Sequence, residues 1–204
     1  MDVSILEIAG FSLLGYLLGS LPFAYWVTAW VSHVDVRQAG SGHATATNTI
    51  RQSGWAAGAV VFVLDVSKGF MATYLAAHFG HWIWLAPLAG ALAVAGHCWP
   101  LLAGFQGGMG LATSSGGLLA LSPLSFLIGL GTLVLLVLAL RHAARAGLLT
   151  GVLTAPLLWL LGWRGPVIWL AWMAGAVVAL RFAVDWQRHY RELWLDRGKK
   201  KPGD

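Results

Sequence analysis

Residues Gly69 to Leu140 read GFMATYLAAHFGHWIWLAPLAGALAVAGHCWPLLAGFQGGMGLATSSGGLLALSPLSFLIGLGTLVLLVLAL, without one Asp, Glu, Lys or Arg. As a single helix this stretch would be about 108 Å long at roughly 1.5 Å per residue, several times a hydrocarbon core of about 30 Å. It must fold back on itself, and Gly80-His81, the cluster Gly104 to Gly110 and Ser122-Pro123 supply the turns. Ile8 to Val31 is a further uncharged crossing. Extended along the chain, the pattern gives seven spans at 4–31, 54–77, 82–103, 110–121, 123–141, 147–163 and 166–184. The fourth is too short to cross unless it tilts or re-enters.

Composition agrees. Of 204 residues, 58% are hydrophobic and 10% charged, against roughly 25% charged in soluble domains. That excludes a water-soluble globule and a disordered chain. One cysteine, Cys98, excludes a disulfide framework and any cysteine-rich zinc or iron–sulfur centre. The net charge of +5 is not gathered into a stripe, so no nucleic-acid partner is expected. The fold class is all-α: a polytopic membrane helix bundle of about seven spans forming one domain over residues 1–204.

Arg37, Arg51, Arg141, Arg145, Arg181 and the basic tail from Arg188 to Lys201 fall at one end of the spans, and only Arg164 falls at the other, with Asp2 and Glu7. The positive-inside rule places the C-terminus in the cytoplasm and the N-terminus outside. The first span lacks the basic start of a cleavable leader and is read as retained. Trp26, Trp30, Trp82, Trp84, Trp163 and Trp169 lie near span ends, as an interfacial belt requires.

Three segments carry more polarity than packing needs. Asp35-Val-Arg-Gln-Ala-Gly-Ser-Gly-His-Ala-Thr-Ala-Thr-Asn-Thr-Ile-Arg51 combines small residues, hydroxyls and arginines, a composition suited to an anion or to an ordinary connection. Asp65 and Lys68 share a helix face. Ionised groups in a membrane line a functional cavity or order the bundle as a pair. Gly96-His-Cys-Trp-Pro100, followed by Phe105-Gln-Gly-Gly-Met-Gly-Leu-Ala-Thr113, brings His97 beside a glycine-rich turn. Gly116-Gly117 and Gly129-x-Gly131 are assigned to close helix packing.

Together these segments resemble the bacterial acyl-phosphate–glycerol-3-phosphate acyltransferases. Gly19-Ser-Leu-Pro-Phe23, Asp35-Val-Arg37, Gly40-Ser-Gly42, Ala46-Thr-Asn48 and Arg51 are similar to that family's first signature. Asp65-x-x-Lys68-Gly69 is similar to the second. Gly96-His97-x-x-Pro100 with Phe105, Gly107-Gly108, Gly110 and Ala112-Thr113 is similar to the third. The resemblance implies transfer of a fatty acyl group from acyl phosphate to glycerol 3-phosphate, giving lysophosphatidic acid and phosphate, at the bacterial inner membrane, with no cofactor and no metal. It implies catalytic roles for Ser41, Arg51, His97 and His189. Substrate contacts are implied for Gly40, Gly42, His43, Thr45, Thr47, Asn48, Lys68, Gly107, Gly108, Gly110 and Thr113, with Asp65 and Lys68 as a polar pair.

Four positions depart from the family pattern. His43 stands for asparagine, Thr45 for glycine, Met109 for the lysine of Gly-Gly-Lys-Gly, and Glu192 for the asparagine three residues after His189. Restoring lysine at Met109 is expected to improve acceptor affinity, unless a cationic His43 already compensates. The alternatives are a relative with another acceptor, a non-catalytic lipid- or acyl-phosphate-binding membrane protein, or a small transporter using Asp65 and Lys68. The lack of inverted halves argues against the last.

Overall fold

The computed structural model describes residues 4–187, and His189 and Glu192 lie outside the described residues. Among the described residues the regular structure is entirely helical: α1 (Ile5–Gly19), α2 (Phe23–Ser32), α3 (Ala46–Phe79), α4 (Leu85–Cys98), α5 (Leu111–Leu121), α6 (Pro123–Leu140), α7 (Ala143–Leu160) and α8 (Pro166–Ala183), with a 3-10 turn at Leu101–Ala103. Six segments are long and apolar enough to cross a bilayer, counting α1 and α2 as one, and α5 is a shorter apolar helix. The protein is a multi-span membrane helix bundle.

Three boundaries differ from the sequence expectation. The first span is broken at residues 20–22, where Pro22 lacks a donor and turns its predecessor away from helical geometry. The second begins at Ala46 rather than 54. Thr45 caps it by accepting from the Asn48 N–H at 3.2 Å, and the helix continues across a kink at Gly54, whose φ is 85°. α7 begins at Ala143 rather than 147, because the His142 side chain accepts from the Arg145 N–H.

The fourth span is short because its entry re-enters the bundle. Gly110, at φ 83°, precedes α5 where a Cβ would press on Val94, Cys98 and Val178. α5 therefore starts inside the protein, where its backbone is covered rather than exposed to lipid.

Glycine lets three helix pairs touch backbone to backbone. Side chains at Gly15 and Gly19 of α1 would strike the Ala89 and Ala93 backbones of α4. Gly69 of α3 abuts the Thr113 carbonyl of α5, and Gly116 abuts that of Val66. Gly151 and Gly175 bring α7 and α8 together in the same way. Gly116 thus behaves as expected, whereas Gly131 faces open space. α6 carries Leu124, Leu127, Leu135 and Leu138 on its exposed side, a face suited to lipid.

The loops 33–45 and 99–110 and the ends of α7 and α8 nearest Arg145 and Arg181 gather at one end of the bundle. There the Ala44 N–H donates to the Gly107 carbonyl at 3.3 Å, and Arg181 Nε donates to the Gly108 carbonyl at 3.1 Å. At the other end the His81 N–H donates to Glu7 Oε1 at 2.6 Å. These contacts give the bundle its two ends.

Gly116→Ala should lower the thermal unfolding midpoint in detergent micelles by the equivalent of about 1–3 kcal/mol, since overpacking forces the helices apart. Gly131→Ala should leave that midpoint unchanged or raise it.

Candidate functional site

The first polar loop is built around one buried side chain. Asn48, fully buried on the first turn of α3, accepts from the Ser41 N–H at 3.2 Å. Its Nδ2 hydrogens are shared among the carbonyls of Val36 and Ala39, each at 2.9 Å, and His43 at 3.1 Å. A side chain at Gly40 would drive into this amide. Gly40 and Gly42 take φ of 58° and 72°, which glycine adopts without penalty. Asn48 therefore holds the loop, with its amide turned to loop backbone.

Arg37 ties the loop to its neighbour. It forks onto Asp35, with Nη2 at 2.7 Å from Oδ2, donates from Nη1 to the Ala103 carbonyl at 3.2 Å, and lies over the Tyr25 ring. The hydrogen-bonded guanidinium holds the Asp35 carboxyl below its usual range, against the opposing effect of partial burial.

Beneath the loops lies a buried charged group. Lys68 Nζ is 2.9 Å from Asp65 Oδ1, which also lies 3.4 Å from His97 Nδ1. Lys68 donates to the Leu21 carbonyl as well, at 3.1 Å. That oxygen is available because the helix breaks at Pro22. With Nδ1 turned to Asp65, the other edge of the His97 ring meets Gly108, where a Cβ would collide with Nε2. The Gly108 N–H donates back to the His97 carbonyl at 3.0 Å. A narrow cleft lies among Leu21, Phe23, Lys68, His97, Gly107 and Gly108.

The remaining expected positions divide. Ser41 is buried in the loop, its Oγ accepting from the His43 N–H at 3.4 Å. Arg51 is half-buried on the first turns of α3, where a loop had been expected, and Thr47 on the same turn is exposed. Thr45 spends its hydroxyl acceptor on the helix cap. Thr113 is fully buried, with Oγ1 lacking a hydrogen-bond partner among the described residues. His97, Gly107 and Gly108 line the cleft with Lys68, Ser41 lies in the loop laced to it, Thr113 packs against Gly69 of α3, and Thr47 is exposed.

Two departures acquire a physical explanation. Met109 packs in an apolar cluster with Val94, Cys98, Val178 and Phe182, so a lysine there would carry its ammonium into the core unless the loop moved. His43 is held at both ring nitrogens: Nε2 lies 2.5 Å from Asp185 Oδ2, and Arg181 Nη2 lies 3.2 Å from Nδ1. Arginine has no acceptor, so Nδ1 must accept and Nε2 must carry the proton. In this arrangement the ring is therefore neutral, and it does not stand in for the cation missing at Met109. Arg181 and Asp185 were missed as site residues. Their one-turn spacing was the available signal, but Arg181 had been read only as a marker of sidedness.

Two outcomes follow. Stability contributed by the Asp35–Arg37 pair is complete at neutral pH and is lost only as pH falls through the depressed Asp35 pKa. The difference in unfolding midpoint between wild type and Asp35→Asn should therefore stay constant from about pH 7 to pH 5 and shrink below about pH 4. Met109→Lys should lower the unfolding midpoint, because the new charge enters an apolar cluster.

The profile of the glycerol-3-phosphate acyltransferase family matches residues 9–192. A glycerol-3-phosphate acyltransferase of Synechococcus elongatus is 39% identical over 165 residues, covering 77% of this chain and 78% of that protein. Glycerol-3-phosphate acyltransferase 4 of Dehalococcoides mccartyi is 43% identical over 118 residues, 58% of this chain and 51% of that protein. The Listeria welshimeri glycerol-3-phosphate acyltransferase is 45% identical over 123 residues, 58% of this chain and 61% of that protein. The match thus spans between half and two thirds of the length of these last two relatives. Among solved structures, PlsY (YgiH), an integral membrane glycerol 3-phosphate acyltransferase, superposes with TM-scores of 0.79 in its glycerol 3-phosphate form and 0.78 in its lysophosphatidic acid form. Both are 31% identical to this chain and cover 89% of it and 90% of their own length.

Proposed function

The chain belongs to the glycerol-3-phosphate acyltransferase family, and on that premise we propose that it transfers a fatty acyl group from acyl phosphate to the 1-hydroxyl of glycerol 3-phosphate. The observation that supports this most is the lacing of two glycine-rich loops over a cleft at one end of a membrane bundle, beside His97 and the Lys68–Asp65 pair. Fatty acyl phosphate is membrane-soluble and glycerol 3-phosphate is not, so a site at the end of the bundle lets the two meet. The orientation proposed from the basic residues puts this end in the cytoplasm of a bacterial inner membrane, with residues 1–204 acting as one unit.

The hydroxyl oxygen attacks the acyl carbonyl, the carbon–oxygen bond to phosphate breaks, and inorganic phosphate leaves. The hydroxyl proton passes to a phosphate oxygen, so no protein base is required. An acyl phosphate is already activated, and the protein's work is to position two anions and stabilise charge on the leaving phosphate. Ser41 and Arg51 are the proposed phosphate donors, set beside the glycines of residues 40–42 and 107–110, with His97 facing the cleft and His189 covering the acceptor. Thr45 and Asn48 act by fixing the loop.

One observation favours a second reading. Met109 is packed where the family pattern has a lysine, which is compatible with a family member that uses a different acceptor.

Purified full-length protein given palmitoyl phosphate and glycerol 3-phosphate should release phosphate and lysophosphatidic acid in equal amounts, each dependent on both substrates. Ser41→Ala and Arg51→Ala should each lower kcat/KM by roughly tenfold to a hundredfold, the equivalent of about 1.5–3 kcal/mol for a charge-assisted hydrogen bond. Phosphate release indifferent to glycerol 3-phosphate would refute this acceptor. A reporter fused after Asp204 should be active only in the cytoplasm, and activity outside would reverse the proposed orientation.

A further inference from the structure

We infer that Arg181 supplies the phosphate-binding cation of this chain, in place of the lysine that Met109 displaces from the glycine turn. The inference rests on the reading that the laced loops hold a phosphorylated substrate, and it deepens that reading by naming the group that takes the phosphate charge.

Three observations carry it. First, Met109 is turned into the apolar cluster with Val178 and Phe182, so the turn itself presents no cation. Second, Arg181, between those two residues in sequence, reaches the rim of the same turn, donating from Nε to the Gly108 carbonyl at 3.1 Å. Its Nη2 donates to His43 Nδ1 at 3.2 Å, which places the guanidinium where the loop 40–43 meets the loop 107–110. Third, those two bonds use two of the five N–H donors that a guanidinium carries, leaving donors for an anion. Arg181 is half-buried, so it remains partly accessible.

The surroundings favour a cation at this point. Arg181 lies in the last turn of α8, where unsatisfied carbonyls carry partial negative charge. His43 adds no competing charge, since its Nδ1 accepts and its Nε2 is turned to Asp185 at 2.5 Å. His43 and Asp185 are thus positioning residues: they fix the direction of the guanidinium without touching the substrate. The histidine that departs from the family asparagine and the methionine that departs from its lysine belong to one rearrangement. The positive charge has moved from the glycine turn to α8, and the loop side chain has changed to hold it. The ligand is a phosphate monoester or an acyl phosphate, and the guanidinium fork suits paired phosphate oxygens in either.

The test compares full-length wild type, Arg181→Gln, Arg181→Lys and His43→Asn in detergent micelles. Affinity for glycerol 3-phosphate and for palmitoyl phosphate is read by thermal protection, and turnover is read with both substrates. Arg181→Gln should weaken one of the two ligands at least tenfold. Arg181→Lys should weaken it less, since it keeps the charge and loses the fork. His43→Asn should give a smaller loss of affinity with the charge intact. The ligand affected identifies which phosphate Arg181 takes. Unchanged affinity for both ligands in a folded Arg181→Gln overturns the inference and leaves Arg181 a strut between α8 and the loops. If Arg181→Gln does not fold, the other two variants decide: lost affinity at a preserved melting point supports the inference, and unchanged affinity in both overturns it. Wild-type turnover with no effect of any variant sinks this inference alone. Absent turnover with phosphate-ligand protection lost in Arg181→Gln sinks the proposed reaction alone. Absence of both turnover and protection in wild type sinks both.

Discussion

The ion pair between Lys68 and Asp65, inside the membrane bundle and almost wholly buried, is the constraint around which the site is arranged. Withdrawing such a pair from water costs several kcal/mol per ion, recovered only where further hydrogen bonds complete both partners. Here the completion comes from two other places in the chain. The Leu21 carbonyl accepts a hydrogen bond from Lys68 because Pro22 interrupts the first span, and His97 Nδ1 approaches the Asp65 oxygen from α4. The break between α1 and α2, the register of α3 and the end of α4 are therefore joined through one pair. His97 in turn sets the glycine turn, since its ring leaves no room for a side chain at residue 108.

From that pair polar contacts continue into the two loops at one end of the bundle. The glycine turn is laced to the loop of residues 33–45, the loop is held from within by Asn48 and from its flank by Arg37, and Arg181 closes over the turn from α8. Each device satisfies backbone groups that leave helical pairing at the end of a span, which is where a membrane protein can afford an irregular chain. The arginines and hydroxyls carried at that end suit a phosphate. A structural need and a chemical use thus coincide in the two glycine loops.

The bundle was legible from hydropathy alone, because an uncharged stretch several membranes long admits no other solution. The signature positions were legible as a resemblance, and the pairing of Asp65 with Lys68 followed from their spacing. What escaped the sequence was decided by tertiary contact. Apolar residues on both sides of Ser20-Leu21-Pro22 concealed the break in the first span. Gly54 does mark a real departure from helical geometry, but Thr45 and Asn48 had already started the helix. An asparagine among glycines reads equally as a phosphate ligand or as a loop clamp, and only the three carbonyls around Asn48 distinguish them. Arg181 and Asp185 looked like boundary charges because the partner they hold, His43, is distant in sequence. Met109 could not be told from a defect in the site until its packing against Val178 and Phe182 was known.

A double-mutant cycle on Asp65 and Lys68 tests the central claim most directly, by comparing unfolding midpoints of Asp65→Asn, Lys68→Met and the combined variant in micelles. If the buried pair is the constraint described, each single change costs about 3–5 kcal/mol by leaving one charge uncompensated, and the combined variant recovers much of that loss. Losses that simply add, with the double variant less stable than either single one, would show that the two side chains act independently and that the site is organised by something else.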